Sequence, residues 1–191
     1  MTVEEGAVYR VVDGQDITGR DVLDLLIAEN WEKHLQLFVE YALRKEEIEG
    51  AKVEVSPSEA EAELQAVLNE YARKQGIPPS EVKLDKLANE LGLAGNVKAM
   101  RRDVSMSLAL LKIFHREGKL TNIEHVANPA FTAELTKRLQ ARVVEKGVER
   151  DPKKLGAGEA VRIGARGYNR GEVREFMKDM LDQQPRNIII S

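Results

Sequence analysis

Histidine and cysteine, which often perform catalysis or bind metal ions, number three and zero in this chain. Its histidines, His34, His115 and His125, have no histidine or carboxylate at the spacing of a helical metal motif. The stretch Asp13 to Asp16 lacks the ligand series of a calcium loop. The glycine-rich stretch GAGEAVRIGARG matches neither a P-loop nor a dinucleotide fingerprint. Because cysteine is also absent, the sequence predicts no catalytic residue, no metal site and no cofactor, and favours a protein that is not an enzyme.

Aromatic and methionine side chains are stronger functional candidates, because they could line an adaptable surface for apolar peptide segments. The candidate peptide-binding residues are Trp31, Phe38, Tyr41, Tyr71, Met100 and Met106. Apolar residues at spacings of three and four are equally typical of a helical core. The core interpretation is favoured for Phe38, Met100 and Phe114. For Trp31 and Tyr41, the core and the peptide-binding interpretations both stay open.

The net charge of -3 is unevenly distributed along the chain. Residues 1–131 have an excess of acidic side chains and residues 132–178 an excess of basic ones. This asymmetry indicates either docking of the two segments on each other or a polyanionic partner, and docking is the preferred interpretation. Arg162, Arg166, Arg170 and Arg174 recur every four residues, but across a strand, a turn and a helix start. A solvated or docked surface is therefore favoured over a phosphate site.

Hydrophobic periodicity predicts a mainly α protein with two or three very short β-strands. The predicted helices after the first cover residues 31–49, 57–75, 80–91, 96–117 and 129–146. The helix at residue 57 has the best-specified start, with Ser56 as N-cap, Pro57 at N1 and Glu59 at N3. Gly50 is the expected end of the helix before it. The helix over 96–117 has apolar stripes on two sides, which predicts a central position.

One strand-to-helix junction occurs twice in the sequence. Ala7 to Val12 reads as a strand before a helix capped by Thr18, and AVRIGARG precedes a second helix capped by Asn169, with Glu172 at N3. The repeat predicts either a duplicated unit or two strands that meet in one small sheet. The stretch GVERDPKKLGAGEA is the predicted linker, and the NIIIS tail is expected to pair with a short strand. The predicted units are a helical lobe at 1–120 and a smaller docked helical unit at 121–191.

The first unit resembles the N-terminal helical chaperone module of the SurA, PrsA and PpiC-like foldases over residues 7–118. The residues that match the opening of the family pattern are Val12, Asp13, Gly14, Ile17 and Thr18. Those that match the later part of the pattern, at the start of the helix predicted from residue 57, are Val55, Ser56, Glu59 and Ala60. The resemblance implies a multi-helix lobe like the SurA-type peptide-binding domain, which holds unfolded or extended polypeptide clients. Family members often contain a parvulin prolyl-isomerase domain, whose His-containing strand and Gly-Gly-Asp-Leu-Gly-like segment do not occur in this sequence. Chaperone character without isomerase activity is therefore the expectation.

The resemblance also implies a periplasmic or extracytoplasmic location if a signal peptide was removed, and a cytoplasmic one is expected otherwise. MTVEEGAVYR has acidic residues where a signal peptide needs basic ones, and no apolar run approaches the ~18 residues of a membrane span. A homodimer is compatible with the sequence.

Two other function classes stay open. One is a helical enzyme or biosynthetic accessory protein with a small-molecule pocket on the same scaffold. The other is a nucleic-acid-binding regulator, because residues 86–110 have the outline of a helix-turn-helix with Lys98, Arg101 and Arg102 on the second helix. That helix is about twice as long as recognition requires, and the acidic first segment opposes attraction to phosphates. Nucleic acid is therefore a disfavoured partner.

Overall fold

The fold is mainly α-helical in a computed structural model of the chain, which describes residues 8–10, 16–91, 93 and 96–181. The helices are α1 (Gly19–Glu29), α2 (Trp31–Ala51), α3 (Pro57–Gln75), α4 (Leu84–Glu90), α5 (Val97–Arg116), α6 (Pro129–Lys146) and α7 (Arg170–Leu181). The strands are β1 (Val8–Arg10), β2 (Asp16–Thr18), β3 (Val148–Glu149), β4 (Glu159–Ile163) and β5 (Arg166–Asn169). The predicted fold class, mainly α with short strands, is confirmed.

The two junctions are β-hairpins that each lead into a helix. Strands β1 and β2 pair antiparallel before α1, and β4 and β5 pair antiparallel before α7. The second hairpin turns at Gly164 and Ala165, where Gly164 has a φ of +60° that glycine adopts without steric cost. The hairpins belong to separate sheets, so of the two alternatives, the one in which both junctions meet in one sheet is wrong. The Asp13-Gly14 turn and the NIIIS tail lie outside the described residues.

The segment predicted as a linker contributes to the second sheet. Strand β3 lies inside it and pairs with β4, with Val148 opposite Ile163 and Glu149 opposite Arg162. The linker prediction is therefore wrong at its beginning and also at its end, where Glu159 and Ala160 belong to β4. Its high content of glycine, proline and charge belongs to the loop that connects β3 with β4.

The helix starts follow the sequence closely. At α3, the Ser56 hydroxyl accepts a hydrogen bond from the Glu59 amide at 3.3 Å, and the Glu59 carboxylate accepts one from the Ser56 amide at 2.8 Å. At α7, the Asn169 side chain accepts from the Glu172 amide at 3.0 Å, and the Glu172 carboxylate accepts from the Asn169 amide at 2.9 Å. These reciprocal bonds satisfy amides that a helix N-terminus otherwise leaves unpaired. The predicted caps at Ser56 and Asn169 are confirmed, whereas the Thr18 side chain lies outside the described part of the structure.

Two helix ends differ from the prediction. Helix α2 continues through Gly50, and the left-handed residue that ends it is Lys52, with a φ of 52°. Its amide bonds to the carbonyl groups of Ile48 and Glu49, so this closure does not need a glycine. The helix predicted over 80–91 is divided into a 3-10 turn at Pro79–Glu81 and the short α4, because Val82 and Lys83 are extended.

The hydrophobic core consists of three clusters. In the first, Val39 and Leu43 of α2 pack with Val161 of β4 and with Val173 and Met177 of α7, all with no more than trace exposure. Residues on the two sides of position 120 thus share one cluster. A domain boundary near residue 120 stays a prediction.

Helix α5 takes part in the other two clusters. It contributes Leu110 and Phe114 to the cluster with Phe131 of α6, and Met100 to the cluster with Leu64 and other residues of α3 and α4. The N-terminal half of α5 therefore packs in one cluster and its C-terminal half in the other, so the helix occupies the predicted central position.

Ion pairs between the segments account for the charge asymmetry. Arg138 of α6 bonds to Glu47 of α2 at 2.6 Å and to Glu117 at 2.6 Å, and Lys146 bonds to Glu46. The basic α6 therefore lies against acidic side chains of the first segment. These ion pairs join the two segments, and the division of the chain into two docked units stays a prediction.

The four arginines at spacings of four have separate partners. Arg162 pairs with Glu159, and Arg174 pairs with Asp24. Arg166 lies 4.6 Å from the ring centre of Tyr168, and Arg170 lies 5.8 Å from that of Trp31. They do not combine into one basic patch.

We expect acid to destabilise the fold partly through Glu59. Hydrogen bonds from Lys112 (2.6 Å) and from Ser56 lower the pKa of Glu59 from 4.5 to about 2. The unfolded chain therefore takes up a proton at higher pH than the folded one, so this stabilisation is complete above about pH 4.5 and is lost as the pH falls towards about 2. Urea midpoints measured across this range should fall less steeply for Glu59→Gln than for the wild-type protein. Parallel pH profiles would contradict the assignment.

Candidate functional site

The described surface contains an apolar cleft bounded by α3, α4, α5 and α6, with a volume of about 340 Å³. Its apolar lining includes Val67, Tyr71, Leu87, Leu91, Val126 and Leu135. Three of its walls use residues four apart on one helix: Val67 with Tyr71, Leu87 with Leu91, and Phe131 with Leu135. Side chains at this spacing lie on the same helix face. Local helix geometry therefore directs each pair into the cleft once the helices pack.

Part of this lining is accessible to solvent. Leu91 is 48% exposed at the end of α4, and Leu135 is half-buried. Tyr71 is buried, and its hydroxyl donates to a Glu90 carboxylate oxygen at 2.6 Å. This hydrogen bond, together with desolvation, raises the pKa of Tyr71. The phenol stays neutral at physiological pH and presents mainly its ring to the cleft.

The connection between α5 and α6 forms another wall and is held by a buried carboxylate. Glu63 of α3 is only 5% exposed, and it accepts a hydrogen bond from the Val126 amide at 2.7 Å. Its other oxygen lies 3.1 Å from His125 Nδ1. His115 Nε2 lies 2.6 Å from the carbonyl oxygen of Ile123 in the same connection. These contacts fix the backbone that places Val126 and Ala127 in the cleft.

The polar lining of the cleft is centred on Arg44 of α2. Its guanidinium donates to Asp103 at 2.5 Å and to the Ser107 hydroxyl at 2.8 Å, and all three residues line the cleft. The Arg44 Nε atom is buried and has no acceptor among the described residues. A buried donor without an acceptor is rare and costs free energy.

A second concavity, the aromatic groove, lies between α2 and the β4–β5 hairpin and has a volume of about 490 Å³. Phe38, Tyr41 and Tyr168 line it, together with charged side chains of both signs. The Phe38 ring contacts those of Tyr168 and Phe176 at centroid distances of 5.1 and 5.5 Å, and Tyr41 stacks on Phe176 at 5.1 Å. Desolvation raises the pKa of Tyr168. These rings mainly join α2 to β5 and α7.

The six candidate residues do not meet in one described concavity. Phe38 and Tyr41 line the aromatic groove, and Tyr71 lines the apolar cleft. Trp31 lies in a hollow beside Arg170 and Arg174, whereas Met106 and Tyr41 line a hollow of about 70 Å³.

The solvent exposure of the candidate peptide-binding residues limits what they can contact. Met100 is fully buried and Phe38 nearly so, as is Phe114, in agreement with the core interpretation. Met100 cannot contact a client while the core is closed. The peptide-binding role of the six residues stays a prediction.

Sequence reasoning missed the aliphatic residues of the cleft, above all Leu91, Val126 and Leu135. Their only sequence signal is apolar character at helical spacing, which core residues share. Exposure of Leu91 depends on where α4 ends relative to α3 and α6, and local sequence does not specify that arrangement.

The helix-turn-helix alternative receives no support from its basic residues. Lys98 and Arg102 pair with Asp179 at 3.4 and 2.8 Å, and Arg101 pairs with Glu61. Cations that are already neutralised release less free energy on contact with phosphates. Among the described residues, no group of three or more histidine or acidic side chains is arranged to hold a metal ion, and no described helix is long and apolar enough to cross a bilayer.

The fold and the cleft define a mainly α protein with an exposed aliphatic cleft between helices. No protein-family model, curated protein or solved structure matches the chain.

Proposed function

We propose that this protein is a non-catalytic, chaperone-like peptide-binding protein that shields apolar segments of polypeptide clients. The proposal extends the resemblance to the SurA-like helical module. The observation that carries it is the apolar cleft, whose aliphatic lining includes a leucine that is about half exposed. Water leaves this surface when an apolar side chain enters, which favours binding by roughly 25 cal/mol per Å² of buried apolar area. Because the cleft would bind clients only by burying apolar surface, we expect it to bind many clients weakly.

A small-molecule pocket is less well supported. Pockets for small molecules have volumes of about 300–1,000 Å³ and direct a few polar groups at the ligand. The cleft lies at the lower end of that range, and its charged groups are engaged with each other, as in the pairs Arg44 with Asp103 and Lys74 with Glu70. An aliphatic cleft of this kind discriminates weakly among apolar side chains, which suits a protein with varied clients.

The test is suppression of client aggregation. The client is chemically unfolded citrate synthase, and light scattering measures its aggregation. We expect suppression by the wild-type protein at stoichiometric ratios. Leu91→Glu should weaken client binding about tenfold, because a carboxylate beside the entering side chain must be desolvated. Since Leu91 is already 48% exposed, the variant should fold normally.

The matched control is Val144→Glu. Val144 is 83% exposed on α6 and lies outside the cleft lining, so the substitution adds the same charge elsewhere on the surface. We expect it to suppress aggregation as well as the wild type does. The proposal fails if the wild-type protein has no effect at about tenfold excess, or if the two variants behave alike.

A further inference from the structure

The aromatic groove contains one charged side chain without a charged partner in the described part of the chain. Its two lysines each pair with a glutamate of α2, Lys146 with Glu46 and Lys45 with Glu49. Glu172, in the first turn of α7, accepts a hydrogen bond from the Asn169 amide at 2.9 Å, and the helix N-terminus stabilises its negative charge. Arg166, at the start of β5, has no such partner. The groove is therefore complementary to an added negative charge.

Arg166 is held in place without using its hydrogen-bond donors. Its guanidinium carbon lies 4.6 Å from the ring centre of Tyr168, where the ring attracts a cation but offers it no oxygen acceptor. None of the Arg166 N–H groups has an acceptor among the residues that the structure describes. A carboxylate can accept a pair of parallel hydrogen bonds from a guanidinium. Because Arg166 is exposed, such a ligand displaces only water from it.

Aromatic side chains form the apolar part of the groove. Phe38 is buried, whereas Tyr41 and Tyr168 are half-buried, so part of both tyrosine side chains is open to a ligand. Desolvation raises the pKa of Tyr168, so its phenol is neutral at physiological pH and does not repel an anion. The groove volume of about 490 Å³ lies within the range of about 300–1,000 Å³ that small-molecule sites have. A flat aromatic body can therefore enter beside these rings.

A cationic ligand matches the groove less well. To reach a carboxylate, it must break a lysine–glutamate pair or the cap of α7. It would also lie beside Arg166, whose charge is not paired with any acidic side chain of the described structure. A neutral ligand avoids this repulsion but leaves the Arg166 donors to water. The charge distribution of the groove thus favours an anion over both.

We propose that the aromatic groove binds a small organic carboxylate with a flat aromatic body. Arg166 pairs with the carboxylate, and the rings of Tyr41 and Tyr168 contact the aromatic body. The aromatic groove and the apolar cleft share no lining residue. This ligand site is therefore separate from the proposed client-binding site and does not rest on the proposed function.

The first experiment compares naphthalene probes of matching size on the wild-type protein by isothermal titration calorimetry. They are 2-naphthoate, its neutral amide 2-naphthamide, and the cation 2-naphthylmethylammonium. We expect 2-naphthoate to bind about tenfold more tightly than the amide, because only the anion forms an ion pair with Arg166. The cation should bind most weakly. Acetate has the same carboxylate without rings, so it should bind at least about tenfold more weakly than 2-naphthoate.

The second experiment locates the carboxylate contact. Arg166→Gln removes the cation from an exposed position, so the variant should fold normally and its affinity for 2-naphthoate should fall about tenfold. Its affinity for 2-naphthamide should stay the same, because the amide has no charge. The matched control is Arg170→Gln, because Arg170 is also exposed and lies 5.8 Å from the ring centre of Trp31, outside the groove lining. This variant should bind 2-naphthoate as the wild type does.

Absence of 2-naphthoate binding overturns the inference, as does binding of the amide or the cation with equal or higher affinity. Unchanged affinity in a folded Arg166→Gln variant, or an equal loss in Arg170→Gln, also overturns it. If Arg166→Gln does not fold, the comparison of probes on the wild-type protein decides alone. If the wild-type protein binds 2-naphthoate as expected but does not suppress client aggregation, the proposed function fails and this inference stands.

Discussion

Phe38→Ala is expected to lower the free energy of unfolding by about 3–5 kcal/mol. Phe38 is 5% exposed, and its ring meets those of Tyr168 on β5 and Phe176 on α7. Truncation removes the buried ring and leaves a cavity where α2, the second sheet and α7 meet. Urea denaturation followed by circular dichroism measures the loss.

Two further variants make this result specific. Phe38→Leu keeps most of the side-chain volume, so it should lower the free energy of unfolding by less than Phe38→Ala does, by about 1.5–3 kcal/mol. Val144→Ala, at an exposed position, should stay within about 0.5 kcal/mol of the wild type. If Phe38→Ala is as stable as the wild type but binds clients poorly, Phe38 is a client contact and the core interpretation is wrong.

Glu63→Ala is expected to destabilise the protein by about 2–3 kcal/mol and to weaken peptide binding in the cleft. The buried Glu63 carboxylate is the acceptor for the Val126 amide and contacts His125. Alanine leaves that amide unpaired and frees the α5–α6 connection, which forms one wall of the cleft. Hydrogen exchange at Val126 should accelerate together with the fall in the urea midpoint.

The controls for Glu63 separate the backbone bond from the histidine contact. Glu63→Gln keeps a carbonyl oxygen for the Val126 amide and should lose less than half as much stability as Glu63→Ala. His125→Ala removes a side chain that is about half exposed, so its cost should stay below about 1 kcal/mol. A larger effect of His125→Ala than of Glu63→Ala would contradict this account of the wall.

Glu59 and Arg44 both form hydrogen bonds that differ in how far apart along the chain their partners lie. The lowered pKa of Glu59 depends first on the hydrogen bond from Lys112 of α5, 53 residues away, and then on the bonds with Ser56 at the start of α3. The hydrogen bonds of Arg44 join residues about 60 positions apart, because they run from α2 to Asp103 and Ser107 on α5. The bonds between Ser56 and Glu59 could be anticipated from the sequence, whereas the bonds to Lys112, Asp103 and Ser107 could not.

The sequence by itself determined the features whose hydrogen bonds close within a few residues. The caps at Ser56 and Asn169 each bond to an amide three positions later, so residue type and spacing suffice to predict them. Helical periodicity likewise predicted the central α5, with its two buried faces. The opposite net charges of the two segments likewise predict ion pairs between them, because such surfaces attract each other whatever their detailed geometry.

Only the tertiary structure decided which distant elements pair and whether each apolar side chain is buried or exposed. Strand β3 has a partner because β4 folds back beside it, and nothing within GVERDPKKLGAGEA specifies that contact. Met100 is fully buried while Leu91, also apolar and on a neighbouring helix, is about half exposed. The hydrophobic effect favours burial of both side chains and has no direction. Helix packing alone sets which aliphatic residues close the core and which remain at the surface as a cleft.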